Sequence, residues 1–288
     1  MKLQGIRLKW ILLFVMALSI LGSSICFGKE TSVMKIALCH LEVSCGPQDK
    51  NLEKIERAVK IASERGARLV VTPETAVQGY YFHRLDEARR LEAQPAPYLD
   101  SLLKTVAGQK VYLFLGCGEY VPETGKNHNS CLVFAPDRSL QSRHRKIYGM
   151  KHGSEKWASP GEVVSTTKCD GLNVGVLVCA DSWFDERPLA LKEQGADLLI
   201  DIAAWPETKE TGNPLPSWQK VTKITELPFI VCNQTGKTKW MDMTIGESVA
   251  IQDEVVKCKY SGAEAVLLLE FDTVKNKILS EKFEIITL

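Results

Sequence analysis

The sequence predicts an α/β fold in a single domain, and three observations lead to this prediction. Short apolar runs typical of buried strands alternate with stretches of helical periodicity, as in βαβ units. No Pro- or Ser-rich linker divides the chain, and no repeat of solenoid length is present. The length of 288 residues suits one α/β domain.

The first half of the chain contains one βαβ unit. Residues 33–43 (VMKIALCHLEV) form a short apolar run bounded by turn residues, which predicts a buried strand. Apolar residues recur at helical spacing from Leu52 to Ala62, with Gly66 as a stop, and Arg68–Thr72 predicts the second strand. The further elements predicted here are helices at Leu85–Glu92 and Tyr98–Val106 and strands at Val111–Gly116, Ser130–Ala135 and Ser139–Ile147.

The second half contains another βαβ unit. Its predicted parts are a strand at Leu172–Val178, a helix at Asp185–Gln194 that Gly195 ends, and a strand at Asp197–Ala203. The elements predicted after it are a polar loop at Pro206–Pro216, a helix at Ser217–Thr225, a strand from Phe229–Cys232, and a β-rich end with runs at Ser248–Ile251, Ala265–Phe271 and Ile278–Ile286.

Composition and charge exclude several classes of protein. With 45% hydrophobic and 25% charged residues, the chain can bury a large core, which argues against disorder. Its 36 basic and 35 acidic side chains give a net charge of +1, so we expect no nucleic-acid partner. Nine cysteines are too few for a disulfide scaffold.

Residues 1–28 have the profile of a signal peptide. Lys2, Arg7 and Lys9 precede the apolar run Trp10–Leu21, which at roughly 12 residues is shorter than a membrane-spanning helix. We expect cleavage near Gly28, a mature domain of residues 29–288, and a secreted or periplasmic protein. The alternative is an uncleaved leader that anchors the protein to a membrane.

Three short segments place a reactive side chain at the end of a predicted strand, where α/β folds usually carry their sites. They are VVTPETAV with Glu74, RHRKIYG with Lys146, and GVLVCADSW with Cys179. Each residue alone is weak evidence, since a Glu or Lys at such a place is commonly solvated and a Cys after an apolar strand is commonly core. The prediction therefore depends on their combination.

In this order the segments resemble the carbon-nitrogen hydrolase (nitrilase) superfamily, amidase-like branch, whose members use a Glu-Lys-Cys triad. The resemblance covers about residues 33–272. It includes the PE of VVTPETAV, the NS of HNSCLVF, SEKWASPGE, the long segment GVLVCADSWFDERPLALKEQGADLL, AAWP, NQTG and GES. It implies a four-layer αββα sandwich and a homodimer or higher homo-oligomer.

The resemblance makes Cys179 the nucleophile, Glu74 the general base and Lys146 an electrostatic stabiliser. A thiol with a pKa of about 8.5 is only slightly ionised at neutral pH, so attack on an amide carbonyl needs a neighbouring base or cation. The oxyanion would be held by Lys146 and by the backbone N–H of Ala180. A raised pKa would let Glu74 protonate the leaving group and then activate water.

Other residues have expected supporting roles. In this family a second glutamate often supports the site, and Glu155, nine residues after Lys146, fits that position better than its rival Glu119. Trp183 and Tyr80 or Tyr81 are expected pocket walls because they flank the Cys179 and Glu74 segments, although they could equally be core aromatics. Asp181 and Arg187 are expected to be structural partners near the nucleophile.

Departures from the family pattern limit the substrate prediction. True nitrilases typically carry Trp-Glu after the cysteine, whereas this chain has Ala180-Asp181, so hydrolysis of an amide or N-carbamoyl compound is favoured over that of a nitrile. CADSWF resembles the C-x-D-x-W-F of N-carbamoyl-polyamine hydrolases but does not fix the substrate. Asp201-Ile202 stands where relatives often have Asn-Pro, which suggests an altered pocket wall.

The predicted function is a thiol hydrolase that releases ammonia or an amine through a Cys thioester. An amide-forming acyltransferase with the same triad and a non-catalytic small-molecule-binding protein are the alternatives. None of the five histidines has a recognisable catalytic setting, which argues against a Cys-His hydrolase. No C-x-x-C pair or H-x-x-x-H is present, so we expect no metal and no cofactor.

Overall fold

The computed structural model of the protein describes residues 33–85, 90–149, 154–209 and 211–288. The predicted signal peptide, residues 1–28, lies outside the described residues. Val33–Leu288 form one compact unit built around two β-sheets. Among its described residues, no helix combines the length and apolar character that crossing a membrane requires.

The first sheet has a mixed arrangement of strands. Its strands, in chain order, are β1 Val33–His40, β2 Ala67–Val71, β3 Tyr112–Val121, β4 Lys126–Phe134, β5 Leu140–Arg145, β12 Ala265–Asp272, β13 Lys277–Ile278 and β14 Glu284–Thr287. In space the order is β13-β12-β1-β2-β3-β4-β5, with β14 also paired to β12. The β1, β2 and β3 strands are parallel, and the others add antiparallel neighbours.

The second sheet has the spatial order β11-β10-β9-β8-β7-β6. Its strands are β6 Thr166–Cys169, β7 Leu172–Val178, β8 Leu198–Ala203, β9 Phe229–Asn233, β10 Ser248–Gln252 and β11 Val255–Tyr260. The central strands β7, β8 and β9 are parallel. Cys179 follows β7 directly, so the nucleophile candidate lies at the carboxyl end of the parallel strands, where α/β sheets commonly place ligands.

Within the described residues, four α-helices cover the outer faces of the two sheets. The helices are α1 Gln48–Glu64, α2 Asp100–Gln109, α3 Glu186–Glu193 and α4 Leu215–Thr225. Apolar residues of α1 and α2 pack with the outer face of the first sheet, and those of α3 and α4 pack with the second.

Alternation along β1 shows the layering. Ile36 and Leu38 belong to the core cluster that includes the second sheet, whereas Ala37 and Cys39 belong to the cluster under α1 and α2. The order helix, sheet, sheet, helix is therefore the predicted four-layer αββα sandwich, and the fold prediction is confirmed.

Most predicted elements are present, with some corrections. The predicted helix Leu85–Glu92 is not helical at Leu85 or at residues 90–92, and its middle lies outside the described residues. The backbone there bonds to the first sheet instead, because the carbonyl of Glu92 accepts the N–H of Tyr120 at 3.0 Å. The run predicted at Ile278–Ile286 is two short strands, β13 and β14, with a break between them. The β6 strand was not predicted.

The cysteines of the described residues are free thiols, and most are buried in the core. Cys45 is half-buried, whereas the others are buried: Cys39, Cys117, Cys131, Cys169, Cys179, Cys232 and Cys258. The fold is therefore held by packing and hydrogen bonds, and Cys179 is unpaired as a nucleophile must be.

Candidate active site

Glu74 is placed by the turn that follows β2. The hydroxyl of Thr72 accepts the N–H of Gly116 at 2.9 Å, which fixes the end of β2 to β3. A Cβ at position 116 would collide with the carbonyl of Pro73, so only glycine lets β3 pass this close to the turn. Gln234 donates its side-chain amide to the carbonyl of Glu74. The backbone of Glu74 is thus held from both sheets, and its side chain is fully buried.

Lys146 follows β5 and stays attached to the first sheet. Its N–H donates to the carbonyl of Asn129 at 2.8 Å, and its own carbonyl accepts the N–H of Gly161 at 2.8 Å. The side chain is 2% exposed, although it carries an ammonium group. A buried ammonium requires charged partners, because its transfer out of water is costly.

Those partners are two carboxylates. The Nζ of Lys146 lies 2.7 Å from Oε1 of Glu74 and 2.6 Å from Oε1 of Glu155. Asn129 donates to the same oxygen of Glu74 at 2.7 Å, and the hydroxyl of Tyr80 donates to Oε1 of Glu155 at 2.9 Å. We call Glu74, Lys146 and Glu155 the Lys146 cluster.

Cys179 directly follows β7 and is the first residue of a 3₁₀ turn, Cys179–Trp183. Its φ is 53°, in the left-handed region that non-glycine residues rarely adopt. The carboxyl of Asp201 accepts its N–H, and its carbonyl accepts the hydroxyl of Ser182 at 2.8 Å. Bonds on both sides of the residue therefore hold this strained conformation.

The three sequence-predicted triad residues are electrostatically coupled. Burial raises the pKa of the Cys179 thiol well above its ordinary value, and the charge of Glu74 adds to this effect while Lys146 opposes it. Burial opposes the charge on Lys146, but the charges of Cys179, Glu155 and Glu74 outweigh it and raise the Lys146 pKa well above its ordinary value. Burial likewise raises the pKa of Glu74, although the charge of Lys146 lowers it.

These pKa directions indicate how the site would work. A thiol with a raised pKa is protonated at neutral pH, so nucleophilic attack requires a base that removes the proton during the reaction. Within the described residues, Oε2 of Glu74 is buried and has no hydrogen-bond partner. This oxygen is free to accept a proton while Oε1 is held by Lys146 and Asn129.

The arrangement also favours one backbone donor for an oxyanion. Asp201 occupies the N–H of Cys179, so the next N–H in the turn is that of Ala180. Amides at the start of a helical turn have no partner inside that turn. The oxyanion role expected for the N–H of Ala180 and the ammonium of Lys146 stays a prediction.

Of the three aromatic candidates, Tyr80 reaches the site, whereas Tyr81 and Trp183 pack in apolar clusters. Tyr80 is half-buried and its hydroxyl contacts Glu155, which brings it to the site. Tyr81 is 2% exposed and packs against Trp240 with ring centroids 5.1 Å apart. Trp183 is half-buried and packs edge to face on Trp205 at 4.6 Å.

Glu119 does not contact Lys146. Its carboxylate accepts two bonds from Arg145, at 2.8 and 3.0 Å, and one from Ser130 at 2.9 Å, and it lies 3.2 Å from Nε of Arg143. We call these four residues the Glu119 cluster. Glu155, not its rival Glu119, is therefore the glutamate that the structure brings to Lys146. Arg187 lies in α3, next to the 3₁₀ turn, with its guanidinium 3.5 Å from Glu186.

Sequence reasoning missed several residues that hold the site. Asn129 and Gln234 lie in the quoted motifs HNSCLVF and NQTG but were given no role. Asp201 was expected in a pocket wall, whereas it is fully buried and accepts the N–H of Cys179. One signal was available for Asn129, since an asparagine inside a predicted strand is disfavoured unless its amide has a specific partner.

Comparison with known proteins gives a consistent result. The model of the carbon-nitrogen hydrolase family matches residues 35–258. The chain is similar to omega-amidase NIT2 of Mus musculus, with 31% identity over 182 residues, which are 59% of this chain and 63% of that protein. It is also similar to a nitrilase of Pyrococcus abyssi, with 30% identity over 175 residues, 59% of this chain and 65% of the other. The chain thus spans less than two thirds of the length of these curated relatives.

The fold has close counterparts among solved structures. Nit3 of Saccharomyces cerevisiae, a member of the nitrilase superfamily, superposes with a TM-score of 0.72 over 83% of this chain and 90% of its own. The sequence identity is 20%, so this match concerns the fold alone.

Proposed function

Since the chain belongs to the carbon-nitrogen hydrolase family, we propose that it hydrolyses a non-peptide C–N bond of a small amide or N-carbamoyl compound through a thioester on Cys179. The observation that carries the proposal is the buried Lys146 cluster, whose charges act on the free, buried thiol of Cys179 on its strained turn. This arrangement supplies a base, a cation and a nucleophile in one enclosed place.

In the first step the sulfur of Cys179 attacks the carbonyl carbon and its proton passes to Glu74. The former carbonyl oxygen becomes an oxyanion, which the N–H of Ala180 and the ammonium of Lys146 stabilise. Collapse of this intermediate breaks the C–N bond, and Glu74 gives its proton to the departing ammonia or amine. The acyl group remains on sulfur as a thioester.

In the second step Glu74 takes a proton from water as the water oxygen attacks the thioester. Collapse releases the carboxylic acid, and the thiolate recovers its proton from Glu74, so the enzyme returns to its starting state. Glu155, which accepts the hydroxyl of Tyr80, is a second partner that holds Lys146 in place. The raised pKa of Glu74 suits a group that both accepts and donates protons near neutral pH.

The test is a measurement of ammonia release by the mature protein from a substrate panel. The panel contains primary amides, N-carbamoyl amines, nitriles and an omega-amide, the class in the name of the mouse relative. We expect release from amides or carbamoyl compounds and loss of at least about 10⁴-fold in kcat for Cys179→Ala. Activity that survives this substitution would refute the mechanism.

Added hydroxylamine separates hydrolysis from acyl transfer. Hydroxamate in place of the acid would reveal a thioester that an amine intercepts, as the acyltransferase alternative requires. Binding of small amides without any product would support the non-catalytic alternative.

We also propose that the enzyme is exported and acts as a homo-oligomer. Export is supported by the leader-like residues 1–28, and oligomerisation by the family resemblance alone. Mass spectrometry of the exported chain would locate cleavage, with an unprocessed N-terminus as the contrary result, and light scattering would give the subunit number.

A further inference from the structure

We propose that Asp181 is a positioning residue that fixes Lys146 of the first sheet against Cys179 of the second. The inference rests on the proposed function, because that function assigns Lys146 and Cys179 to catalysis. The two residues belong to different layers: Lys146 follows β5 in the first sheet and Cys179 follows β7 in the second. Bonds within either sheet cannot set the distance between them.

One oxygen of Asp181 binds the segment that carries Lys146. Oδ1 accepts the backbone N–H groups of Ile147 and Tyr148, both at 2.9 Å. These are the two residues directly after Lys146, at the point where its strand has ended. These two residues lie beyond the end of β5, so the carboxylate supplies the acceptor that their N–H groups use.

The other oxygen closes the turn around Cys179 and returns to β5. Oδ2 accepts the N–H of Val178, the residue before the nucleophile, at 3.2 Å, and lies 2.8 Å from Nε2 of His144. Asp181 therefore contacts residues on both sides of Lys146 in the chain, and it braces the strained turn of Cys179.

The bonding pattern requires an ionised carboxylate. Asp181 is fully buried, yet four N–H groups converge on its two oxygens. Burial acts to raise its pKa, but the hydrogen bond and charge of His144 and the N–H of Tyr148 outweigh burial and lower it. An ionised carboxylate only accepts, so Nε2 of His144 carries the proton in this pair.

Asparagine is the discriminating substitution. Asp181→Asn keeps the size of the side chain but replaces one acceptor by an NH₂ group that faces donors already aimed at it. With the NH₂ towards Ile147 and Tyr148, both of their N–H groups lose their acceptor. With the NH₂ towards Val178, that N–H loses its acceptor, and His144 keeps its bond only by moving its proton to Nδ1. Either way the link between the two catalytic segments is weakened, while the residues of the triad are untouched.

A merely structural role predicts a different result from a positioning role. If Asp181 only stabilises the fold, the folded fraction of the variant has normal kcat. Glu119→Gln is the matched control, because Glu119 is another buried carboxylate that accepts several charged or polar donors but contacts none of the triad. Both variants should lose stability to urea.

We expect Asp181→Asn to lower kcat about 10²-fold with KM changed by less than about threefold, and Glu119→Gln to keep kcat within about threefold. The second readout is the rate at which iodoacetamide alkylates Cys179, followed by mass spectrometry of its peptide at pH 7. The charged and titratable groups that act on this thiol are Glu74, Lys146, Glu155 and Asp201. Loss of the Asp181 negative charge would by itself favour the thiolate, so slower alkylation reports a displaced Lys146 or a changed Cys179 turn, and both follow from the loss of the positioning bonds.

Equal kcat in Asp181→Asn and wild type, with unchanged alkylation, would overturn the inference. If the wild-type protein hydrolyses nothing but alkylation is slower in the variant, the proposed function fails and the positioning role stands. Should Asp181→Asn not fold, His144→Leu removes a single donor of Asp181 and should lower kcat and alkylation in the same direction by about tenfold. No change in either quantity would count against the proposal.

Discussion

Two buried carboxylate clusters lie side by side at the end of β5. They differ in how completely their carboxylate oxygens are hydrogen-bonded and in the direction in which the pKa of Glu119 or Glu74 is shifted. Arg145 belongs to the Glu119 cluster, and the next residue, Lys146, belongs to the Lys146 cluster. Successive residues of an extended chain point to opposite sides, so neighbouring cations enter different surroundings.

The carboxylate of the Glu119 cluster is satisfied on both oxygens. Arg145 bonds each of them in a fork, and Ser130 adds a further bond. Burial raises its pKa, but the bonds and charges of the two arginines and Ser130 outweigh burial, so the net pKa is lowered. This group stabilises the fold, and its lowered pKa keeps it ionised at neutral pH.

The Lys146 cluster has two carboxylates for one cation. One oxygen of Glu74 and one of Glu155 have no hydrogen-bond partner within the part of the chain that the structure describes, and the net pKa of Glu74 is raised. Glu119 and Glu74 are both buried, so burial alone does not identify a candidate for proton transfer. The marks are incomplete hydrogen bonding and a pKa raised towards the working range.

Among the substitutions that compare the two clusters, Glu74→Gln should cause the largest change in kcat. The amide keeps the size of the side chain but cannot take the proton of Cys179, so kcat should fall about 10³-fold or more. Removing a poorly solvated carboxylate should leave the free energy of unfolding unchanged or higher. Steady-state kinetics and urea unfolding test the two statements, and a stability loss with full kcat would reverse the roles assigned to the clusters.

Glu119→Gln should lower the stability of the fold and leave kcat unchanged. The substitution leaves two arginines without their buried counter-ion, so the free energy of unfolding should decrease by about 3 kcal/mol. The folded enzyme should keep kcat, since Glu119 contacts none of the triad. Urea unfolding at pH 7 measures the first quantity, and a large fall in kcat without loss of stability would contradict the comparison.

The two clusters should also differ in the pH at which Glu119 and Glu74 lose their charge, which is a smaller effect. Because the pKa of Glu119 is lowered, its stabilisation is present above the ordinary glutamate value of 4.5 and is lost as pH falls through its own lower value. Because the pKa of Glu74 is raised, the ionised base is lost at a higher pH, so kcat/KM should fall before that stabilisation does.

The measurements are the pH profile of kcat/KM and the stability difference between wild type and Glu119→Gln across the same pH series. Taking the difference removes the contributions of other titrating groups, such as His40, whose pKa burial lowers to about 4. The roles assigned to the two clusters are wrong if kcat/KM falls only below pH 4.5, or if the stability difference already disappears above pH 4.5.

The sequence predicted the buried strands well because their signal is local. Residues such as those of β1, β7 and β8 form apolar runs between turn residues, and the parallel strands of a covered sheet are expected to be apolar on both faces. The β6 strand, with the sequence TTKC, is too short and polar to stand out. Leu85–Glu92 has a helix-like composition, but its hydrogen bond to β3 cannot be read from local spacing.

The site was predictable where a family motif covered it. Glu74, Lys146, Cys179 and Glu155 were found by their order and surroundings, and the structure brings Glu74, Lys146 and Glu155 into contact. The bonds of Asp201 to Cys179 and of Asp181 to His144 and Ile147 could not be predicted, because these partners lie 22 to 37 residues away in the chain. Such contacts depend on how the two sheets face each other.

The buried thiols of the core have a consequence for the chemistry of the folded chain. Disulfide exchange proceeds through the thiolate, and burial raises the pKa of Cys39, Cys169 and Cys258 to about 12. At neutral pH roughly one such thiol in 10⁵ is ionised. Once folded, these cysteines are protected kinetically from scrambling and mixed disulfides, so among the thiols outside the proposed site an oxidising environment would act first on the half-buried Cys45.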